Sequence, residues 1–562
     1  MTTTLLMSAI MAIVAAILIT PLASRTNDGD FKTKFKMQFG IIVWILAFVI
    51  TAAIFYITKV DQSWSLSWSI IFVIALIGTL LANGFERKIK GIITLASLVF
   101  GAYLLSAPLF NAHQKYQSAE MTKKVEIKAF DDTKTPASVP PKYARNKMKK
   151  AFSQVPNTSY YELGNLQIQK VKGEYVYIAP VEFSDFFKWM KGKESPGYLI
   201  MSATNSSDNP KFVKSPMVYT TSAYLNNNVE RHMRLANTQK IFYGDAQLEV
   251  DDNGKPYYIR TYGDFISGRN GFDPKGIVMI DAKTGDSKTY ALKDVPEFID
   301  GAISPEAVSR QNEYFGKYVH GFWNSMFGKK DVKIPSDEGT EANVSPVFDE
   351  NGTMYYFTDF TSPKEGVDSM LGYSLTNART GQATYYSGNK DEAYMDSQGA
   401  IQIIEKKFIE KKWQASMPII YNFYGEASWL VPVLDSNGFL QNYSIVSAAN
   451  PELSVSAATP NEALRQYKTL INRSGNSSLN SSSSNEEKTV KGKVLRVYKE
   501  KNNDYTTISF LLDNKENYIV SSEVAPLAVY LKEGDKVEVK YVNSTDVFLP
   551  VKEIVIEDIE EK

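Results

Sequence analysis

Four aspartates occur at comparable places along the chain, each just after a segment that is predicted to be a strand: Asp185, Asp264, Asp359 and Asp435. Two carboxylates that face each other across a sugar can serve as acid and base in glycan hydrolysis, which makes Asp264 and Asp359 the candidate catalytic residues. The alternative is that they are solvated loop carboxylates. We favour the alternative because acidic residues are ordinary components of loops and turns.

Further acidic residues precede two Asn-Gly pairs. Asp251 and Asp252 stand before the first pair, and Asp349 and Glu350 stand before the second. Their oxygens are the ligands that Ca²⁺ prefers, so these four residues are candidate metal ligands. No EF-hand spacing accompanies them, however, and acidic residues before Asn-Gly commonly form turns. A turn is therefore the interpretation that we favour.

Other chemistry is scarce. The chain of 562 residues has no cysteine, and its histidines, His113, His232 and His320, are isolated from one another. A zinc site or a Ser-His-Asp triad would need assembly from distant places, and no phosphate-binding glycine motif is present. We expect no cofactor, and we expect a protein that is not an enzyme.

The charges argue against a nucleic-acid partner. Lys and Arg number 62, as do Asp and Glu, so the surplus of cations that phosphate neutralisation requires is missing. One basic stretch, at residues 142–150, suits either an anionic surface polymer or lipid headgroups, or else a solvated helix face.

Four windows without charge occupy the first 110 residues, at 5–23, 39–57, 64–84 and 91–110. Each is long enough to cross about 30 Å of hydrocarbon. Cations concentrate in the first and third loops, whereas the middle loop holds only Lys59. By the positive-inside rule, the N-terminus and everything after residue 110 lie outside the cytoplasm. No charged residue interrupts the windows, which favours an anchor over a transporter.

The region after the membrane helices contains a repeat. The segment 276–285 (GIVMIDAKTG) is matched by 372–381 (GYSLTNARTG) and, in shorter form, by 197–204, and an Asn-Gly hairpin precedes the first two. We predict type I′ turns at these Asn-Gly pairs. Between the hairpins the spacing of apolar residues predicts helices over 142–155, 222–237, 305–327, 392–408 and 460–472. Helix and hairpins thus recur about four times, as an α+β fold.

The motif at 280–285 and 377–381 resembles the closing strand of PepSY-type repeats, small extracytoplasmic modules of bacterial membrane proteins. The resemblance implies an exported, membrane-tethered domain that interacts with proteins or regulates them, and it implies no catalytic residues.

The predicted organisation is a four-helix membrane anchor (1–112), an α+β domain of about four PepSY-like units (113–472), a Ser/Asn-rich linker (473–488) and an OB-like β-barrel (489–562). The barrel has ten Lys and one Arg against fourteen acidic residues, so it is a poor nucleic-acid groove.

We therefore predict a multi-pass membrane protein of a bacterium or phage. It would present a non-enzymatic scaffold, receptor or regulatory domain outside the cell, to envelope proteins or cell-wall polymer. An envelope glycan hydrolase and an accessory subunit of a transport machine are the alternatives.

Overall fold

The computed structural model describes residues 2–21, 29–125, 139–349, 351–364, 366–388, 393–474, 487–502, 505–522, 524–542, 548–557 and 559. Contacts divide the chain into two compact units, one mainly of residues 1–419 and 431–442 and the other mainly of residues 420–430 and 443–562.

Four long helices begin the chain: α1 (Thr2–Ile19), α2 (Gly29–Thr58), α3 (Trp64–Leu81) and α4 (Gly84–Phe110). All four are long and apolar enough to cross a membrane, as the charge-free windows predict. They also leave apolar side chains exposed, such as Leu105 at 85%. Surface of this kind is expected to face lipid rather than water.

The helix ends alternate between two sides of this bundle. Gln62, in the loop between α2 and α3, donates a hydrogen bond to Thr4 at the start of α1 (2.8 Å). At the opposite end, Lys90 in the first turns of α4 donates to the carbonyl of Thr20 (3.0 Å). The N-terminus and the α2–α3 loop therefore share one side of the bundle.

A short helix, α5 (Ala112–Ser118), and a short strand, β1 (Thr122–Lys124), lead away from α4. Four repeats of one arrangement follow, each a helix and then five strands. Repeat 1 has α6 (Pro141–Ala151), β2 (Tyr161–Leu163), β3 (Gln167–Val171), β4 (Glu174–Phe183), α7 (Phe186–Gly192), β5 (Ser195–Ser202) and β6 (Lys211–Met217). Repeat 2 has α8 (Val229–Ala236), β7 (Ile241–Phe242), β8 (Gln247–Val250), β9 (Pro256–Ser267), β10 (Asn270–Asp281) and β11 (Ser287–Ala291).

Repeat 3 has α9 (Pro305–Lys317), α10 (Gly321–Trp323) continued by a π-helical turn (Asn324–Gly328), β12 (Ile334–Pro335), β13 (Ser345–Phe348), β14 (Met354–Thr361), β15 (Met370–Asn377) and β16 (Ala383–Tyr386). Repeat 4 has α11 (Ser397–Lys407), β17 (Gln414–Ala415), β18 (Ile419–Phe423), β19 (Glu426–Leu434), β20 (Leu440–Ser447) and β21 (Ser454–Ala457), and α12 (Pro460–Ser474) comes after it.

The sheet order is the same in every repeat. The first two strands both pair with the third, the third pairs with the fourth, and the fourth pairs with the fifth. In repeat 3 the sheet gains a sixth strand, because β1 pairs parallel with β16. The segment that leaves the membrane helices is thereby joined to the third sheet.

One residue pair explains the recurring sequence motif. At the last residue of the fourth strand, the side-chain oxygen of Ser202, Asp281, Asn377 or Ser447 accepts hydrogen bonds from the backbone amides two and three residues later, at 2.9–3.2 Å. The next residue is an alanine in all four repeats, Ala203, Ala282, Ala378 and Ala448, and each is at most 2% exposed. A larger side chain has no room there.

The turn prediction at the two Asn-Gly pairs is wrong. Gly254 and Gly352 have a positive φ, but Asn253 and Asn351 do not, so these are not type I′ turns. The type I′ pattern of two successive positive φ values instead occurs at Lys172-Gly173, Gly268-Arg269 and Tyr424-Gly425. The helix predicted over 305–327 is also interrupted: α9 ends at Lys317, and Gly321 has a φ of 80°.

The C-terminal part of the smaller unit, after α12, contains five strands, β22 (Glu487–Asn502), β23 (Tyr505–Leu512), β24 (Asn517–Ser521), β25 (Lys536–Val542) and β26 (Phe548–Ile556), with a 3₁₀ turn over Pro526–Tyr530. Pairing runs from β22 through β23, β24, β26 and β25 and returns to β22. An apolar core that includes Val494, Phe510 and Leu531 lies between these strands. Of the predicted linker, residues 475–486 lie outside the described residues.

The buried alanine yields a test of the repeat. Ala282→Leu places a larger side chain where Ala282 has no exposed surface, and overpacking should lower the free energy of unfolding by about 1–3 kcal/mol. The control is Lys283→Leu, because Lys283 is the exposed neighbour. Thermal unfolding of the purified full chain should show a lower midpoint for the first variant alone, and equal midpoints would contradict this account.

Candidate functional site

The two candidate catalytic aspartates do not form a pair. Asp264 is exposed in β9, opposite Asp273 in β10. Asp359 is 2% exposed in β14, which belongs to a different sheet. The space beside Asp359 has a volume of about 10 Å³, which is too small for a sugar. The pair predicted for glycan hydrolysis is therefore not assembled.

Asp359 instead holds the start of a helix. Its carboxylate accepts a hydrogen bond from the backbone amide of Ser397, the first residue of α11 (3.0 Å). Repeat 2 does the same with a different residue type: Thr261, at the matching position of β9, accepts from the amide of Ser304, which caps α9 (2.8 Å). Each of these strands thus ties down the helix of the following repeat.

The candidate metal ligands Asp251 and Asp349 also bind backbone. One oxygen of Asp251 accepts from the amides of Asn253 and Lys255, and one oxygen of Asp349 accepts from those of Asn351 and Thr353, all at 2.9 Å. Asp435 closes its loop in the same way. These bonds explain why the Asn-Gly loops are not type I′ turns: the aspartate determines the loop conformation.

The remaining metal candidates differ. Asp252 accepts from the backbone amide of Lys172, in the turn between β3 and β4 (2.8 Å), and so links repeats 1 and 2. Glu350 lies outside the described residues. Within the described ranges, no group of three or more His, Asp and Glu side chains is arranged to hold a metal ion.

The histidines are apart as well. Nε2 of His232 lies 2.8 Å from the carbonyl of Gly285, and Nε2 of His320 lies 2.8 Å from the carboxylate of Asp331.

Cations of the basic stretch at 142–150 form hydrogen bonds within the protein. Arg145 donates to the carbonyls of Leu163 and Gly164, and Lys147 donates to those of Ser206 and Asp208.

A larger cavity, with a volume of about 440 Å³, carries carboxylates that sequence analysis did not single out. Glu306, Glu341 and Asp245 line it together with Lys142 and Arg145. Burial and the neighbouring charge of Glu306 raise the pKa of Glu341 to about 7. These glutamates belong to no local motif, so no signal in the sequence marks them.

A cluster of polar contacts lies where α8 meets the end of α2. Nε of Arg231 donates to the carbonyl of Tyr56 (3.0 Å), and Nε of Arg234 donates to the carbonyl of Lys59 (2.9 Å). The last carbonyls of a helix have no partner within it and carry partial negative charge, so arginine is a favourable cap. Glu230 of α8 forms an ion pair with Lys59.

A second contact joins the α2–α3 loop to the turn between β9 and β10. Both terminal nitrogens of Arg269 donate to the carboxylate of Asp61, at 3.0 and 2.8 Å, and one of them also donates to Ser63 and Ser65. Burial alone would raise the pKa of the Asp61 carboxyl, but the Arg269 fork and the Ser63 hydrogen bonds hold the pKa below its usual value. We call the α8 and Arg269 contacts together the junction.

Sequence analysis missed the junction, although one signal was present. Asp61 is the only acidic residue of a six-residue loop, at 58–63, that is otherwise notable only for Lys59. The partner Arg269 is 208 positions away. No local sequence pattern could therefore predict that Asp61 and Arg269 form a pair.

The burial of Asp359 predicts a pH dependence. Burial raises the pKa of this carboxyl from 3.8 to about 6, so the folded chain binds a proton that the unfolded chain has lost between these values. Stability should therefore fall as the pH rises from about 4 to 6, by on the order of 3 kcal/mol. Asp300 and Glu341, whose pKa values burial also raises, add to this dependence, so in Asp359→Asn the fall should become smaller by the contribution of Asp359, while Asp264→Asn should keep the full fall. Unfolding midpoints across this pH range measure it, and an unchanged slope in Asp359→Asn would contradict it.

The junction predicts a coupling energy. In a double-mutant cycle with Asp61→Asn and Arg269→Gln, we expect a coupling of about 1–3 kcal/mol, because the carboxylate is largely buried and held by two hydrogen bonds. The exposed pair of Asp273 and Lys275 in β10 is the control, with about 0–1 kcal/mol. Unfolding of the full chain in detergent measures both, and equal couplings would contradict a structural role of the junction.

No protein-family model and no curated protein matches this chain. Among solved structures it is similar to Trypanosoma rangeli sialidase, with 10% identity and a TM-score of 0.17 over 71% of this chain and 55% of that one. The matched region thus spans about half the length of the sialidase. A TM-score this low carries no argument about fold or activity, so function has to be inferred from the residues themselves.

Proposed function

We propose that this chain is a polytopic membrane protein that presents a non-enzymatic scaffold, receptor or regulatory domain outside the cytoplasm, for envelope proteins or cell-wall polymer. The observation that carries the proposal is the junction. Arg231, Arg234 and Arg269 fix the repeat domain to the end of α2 and to the loop after it. A domain held in this way presents its surface at a set place above the membrane.

The use of the carboxylates supports a role other than catalysis. Asp359, Asp251 and Asp349 all accept backbone hydrogen bonds that shape helices or loops. A carboxylate whose oxygens are committed to backbone amides is poorly placed to exchange a proton with a substrate.

The finer assignments belong to the same proposal. The PepSY-like identity of the repeats is supported by the strand that ends in the Asp281-Ala282 or Asn377-Ala378 pair. The OB-like identity of the five C-terminal strands is supported by their order and by the 3₁₀ turn between β24 and β25.

Hydrolysis of an envelope glycan is the second candidate, and the 440 Å³ cavity is what favours it. Glu306 and Glu341 share its wall, and burial beside the charge of Glu306 raises the pKa of Glu341, as suits a general acid.

The orientation can be tested with single cysteines, because the chain has none. Lys283→Cys lies in the repeat domain, and Lys88→Cys lies in the first turns of α4, on the other side of the bundle. A thiol reagent that cannot cross membranes should label the first variant in intact cells and the second only after lysis. The reverse pattern would place the repeat domain in the cytoplasm and overturn the proposal.

The enzymatic alternative is tested by incubating the full chain with cell-wall glycan. We expect no release of soluble fragments. Release that is lost in both Glu306→Gln and Glu341→Gln, but retained in Asp264→Asn, would favour the hydrolase over the scaffold.

The scaffold role is tested in living cells by photo-crosslinking. A photo-crosslinker at exposed Lys283 should join the chain to an envelope component, whereas a complete lack of adducts there and at Ile409 would count against a scaffold.

A further inference from the structure

Two exposed apolar patches lie on the repeat domain. The α7 patch consists of Phe187, Met190, Tyr224 and Leu225, which are 40–67% exposed. The α10 patch consists of Trp323, Met326 and Phe327, which are 52–76% exposed. Elsewhere in the described part of this domain, up to residue 419, large exposed apolar side chains such as Ile334, Leu371 and Ile409 stand singly. Contiguous apolar patches of this kind mark binding surfaces.

The α10 patch adjoins the end of α4. Its helix contacts both α4 and α5, and Phe322 packs against a cluster that contains Ala112, two residues beyond the end of α4. The rings of Trp323 and Phe327 stack beside it, with centroids 6.0 Å apart. The apolar window of α4 ends at Phe110, so the patch lies at the level where that helix would leave the hydrocarbon.

The α7 patch adjoins the end of α2 in the same way. The hydroxyl of Tyr56, two residues before α2 ends, donates to the side chain of Asn226 (3.0 Å), the neighbour of Leu225. Tyr224 contacts Phe186 of α7, with ring centroids 5.1 Å apart. Two separate parts of the repeat domain therefore bring exposed aromatic and aliphatic side chains to the same level of the helix bundle.

The residue types suit one occupant, the polar–apolar interface of a bilayer. Tryptophan, tyrosine and phenylalanine favour this layer, and lysines next to them extend toward anionic headgroups. Lys191 and Lys193 follow the α7 patch, and Lys329 and Lys330 follow the α10 patch. A protein partner at either patch would have to occupy the headgroup layer beside α2 or α4.

We propose that the α7 and α10 patches insert into the outer interface of the membrane, so that the repeat domain rests on the lipid at two places beside its helices. The inference depends on the proposed membrane insertion of α1–α4. It goes beyond a scaffold role, since it identifies lipid as a direct ligand of the repeat domain.

Nitroxide labels on single cysteines test this in the full chain, reconstituted into nanodiscs of phosphatidylcholine and phosphatidylglycerol. The variants are Phe187→Cys and Phe327→Cys, with Met190→Cys and Met326→Cys as second choices should either fail to fold. Leu105→Cys on α4 is the control for lipid, and Ile409→Cys, 71% exposed in repeat 4, is the control for water. Oxygen, which concentrates in lipid, and a water-soluble nickel chelate report the surroundings of each label.

At positions 187 and 327 we expect the collision rate with oxygen to exceed that with nickel several-fold, as at position 105, and the reverse at position 409. Labels at 187 and 327 that behave like position 409, while position 105 senses lipid, would overturn the patch proposal and leave the membrane helices intact. Labels shielded from both reagents would mean that protein covers the patches, which overturns it too. A water-like result at position 105 would defeat the membrane insertion itself.

Discussion

The carbonyl groups at and just after the end of α2 need partners, and the repeat domain provides them. Arg231 and Arg234 bind the carbonyls of Tyr56 and Lys59, and both arginines belong to one helix of two turns. Burial lowers the pKa of Arg234 to about 10, which still leaves it charged at neutral pH. The guanidinium of Arg234 also donates to the carbonyls of Asn237 and Lys240, so its hydrogen bonds hold α8 against the end of α2.

Hydrogen bonds between side chains and backbone also shape the repeats. Their loops are closed by short polar side chains, such as Asp281 and Asn377, that accept backbone amides, and their helices start on acceptors from the preceding sheet, such as Asp359. Asp251, Asp349 and Asp359, which look reactive in the sequence, therefore bind backbone amides. The described residues also leave apolar surface exposed, on α1–α4 and on the two patches next to them.

How much could be predicted from sequence follows from the distance between partners. The four helices and the repeated motif depend on local runs of residues, and both were predicted. The prediction of a type I′ turn at Asn253-Gly254 was wrong because the side chain of Asp251, two residues before Asn253, binds the loop backbone and overrides the preference of Asn-Gly for that turn. The roles of Asp359 and Arg269 were out of reach because Ser397 and Asp61 are 38 and 208 positions away. The composition of a segment predicts whether it is buried or faces a membrane. Which residues pair across long stretches of sequence can be known only from the folded structure.

The contacts at the bundle also form a continuous path. Gln62 is bound on two sides. Its backbone amide donates a hydrogen bond to the carbonyl of Thr238 in repeat 2, and its side chain donates one to the hydroxyl of Thr4 in α1. At the far end of α1, the carbonyl of Thr20 accepts from Lys90, which also pairs with Glu86. A displacement of repeat 2 would therefore act on α1 and α2 together rather than on one loop. The membrane helices need no charge within their apolar stretches for this coupling, because the polar contacts lie at their two ends.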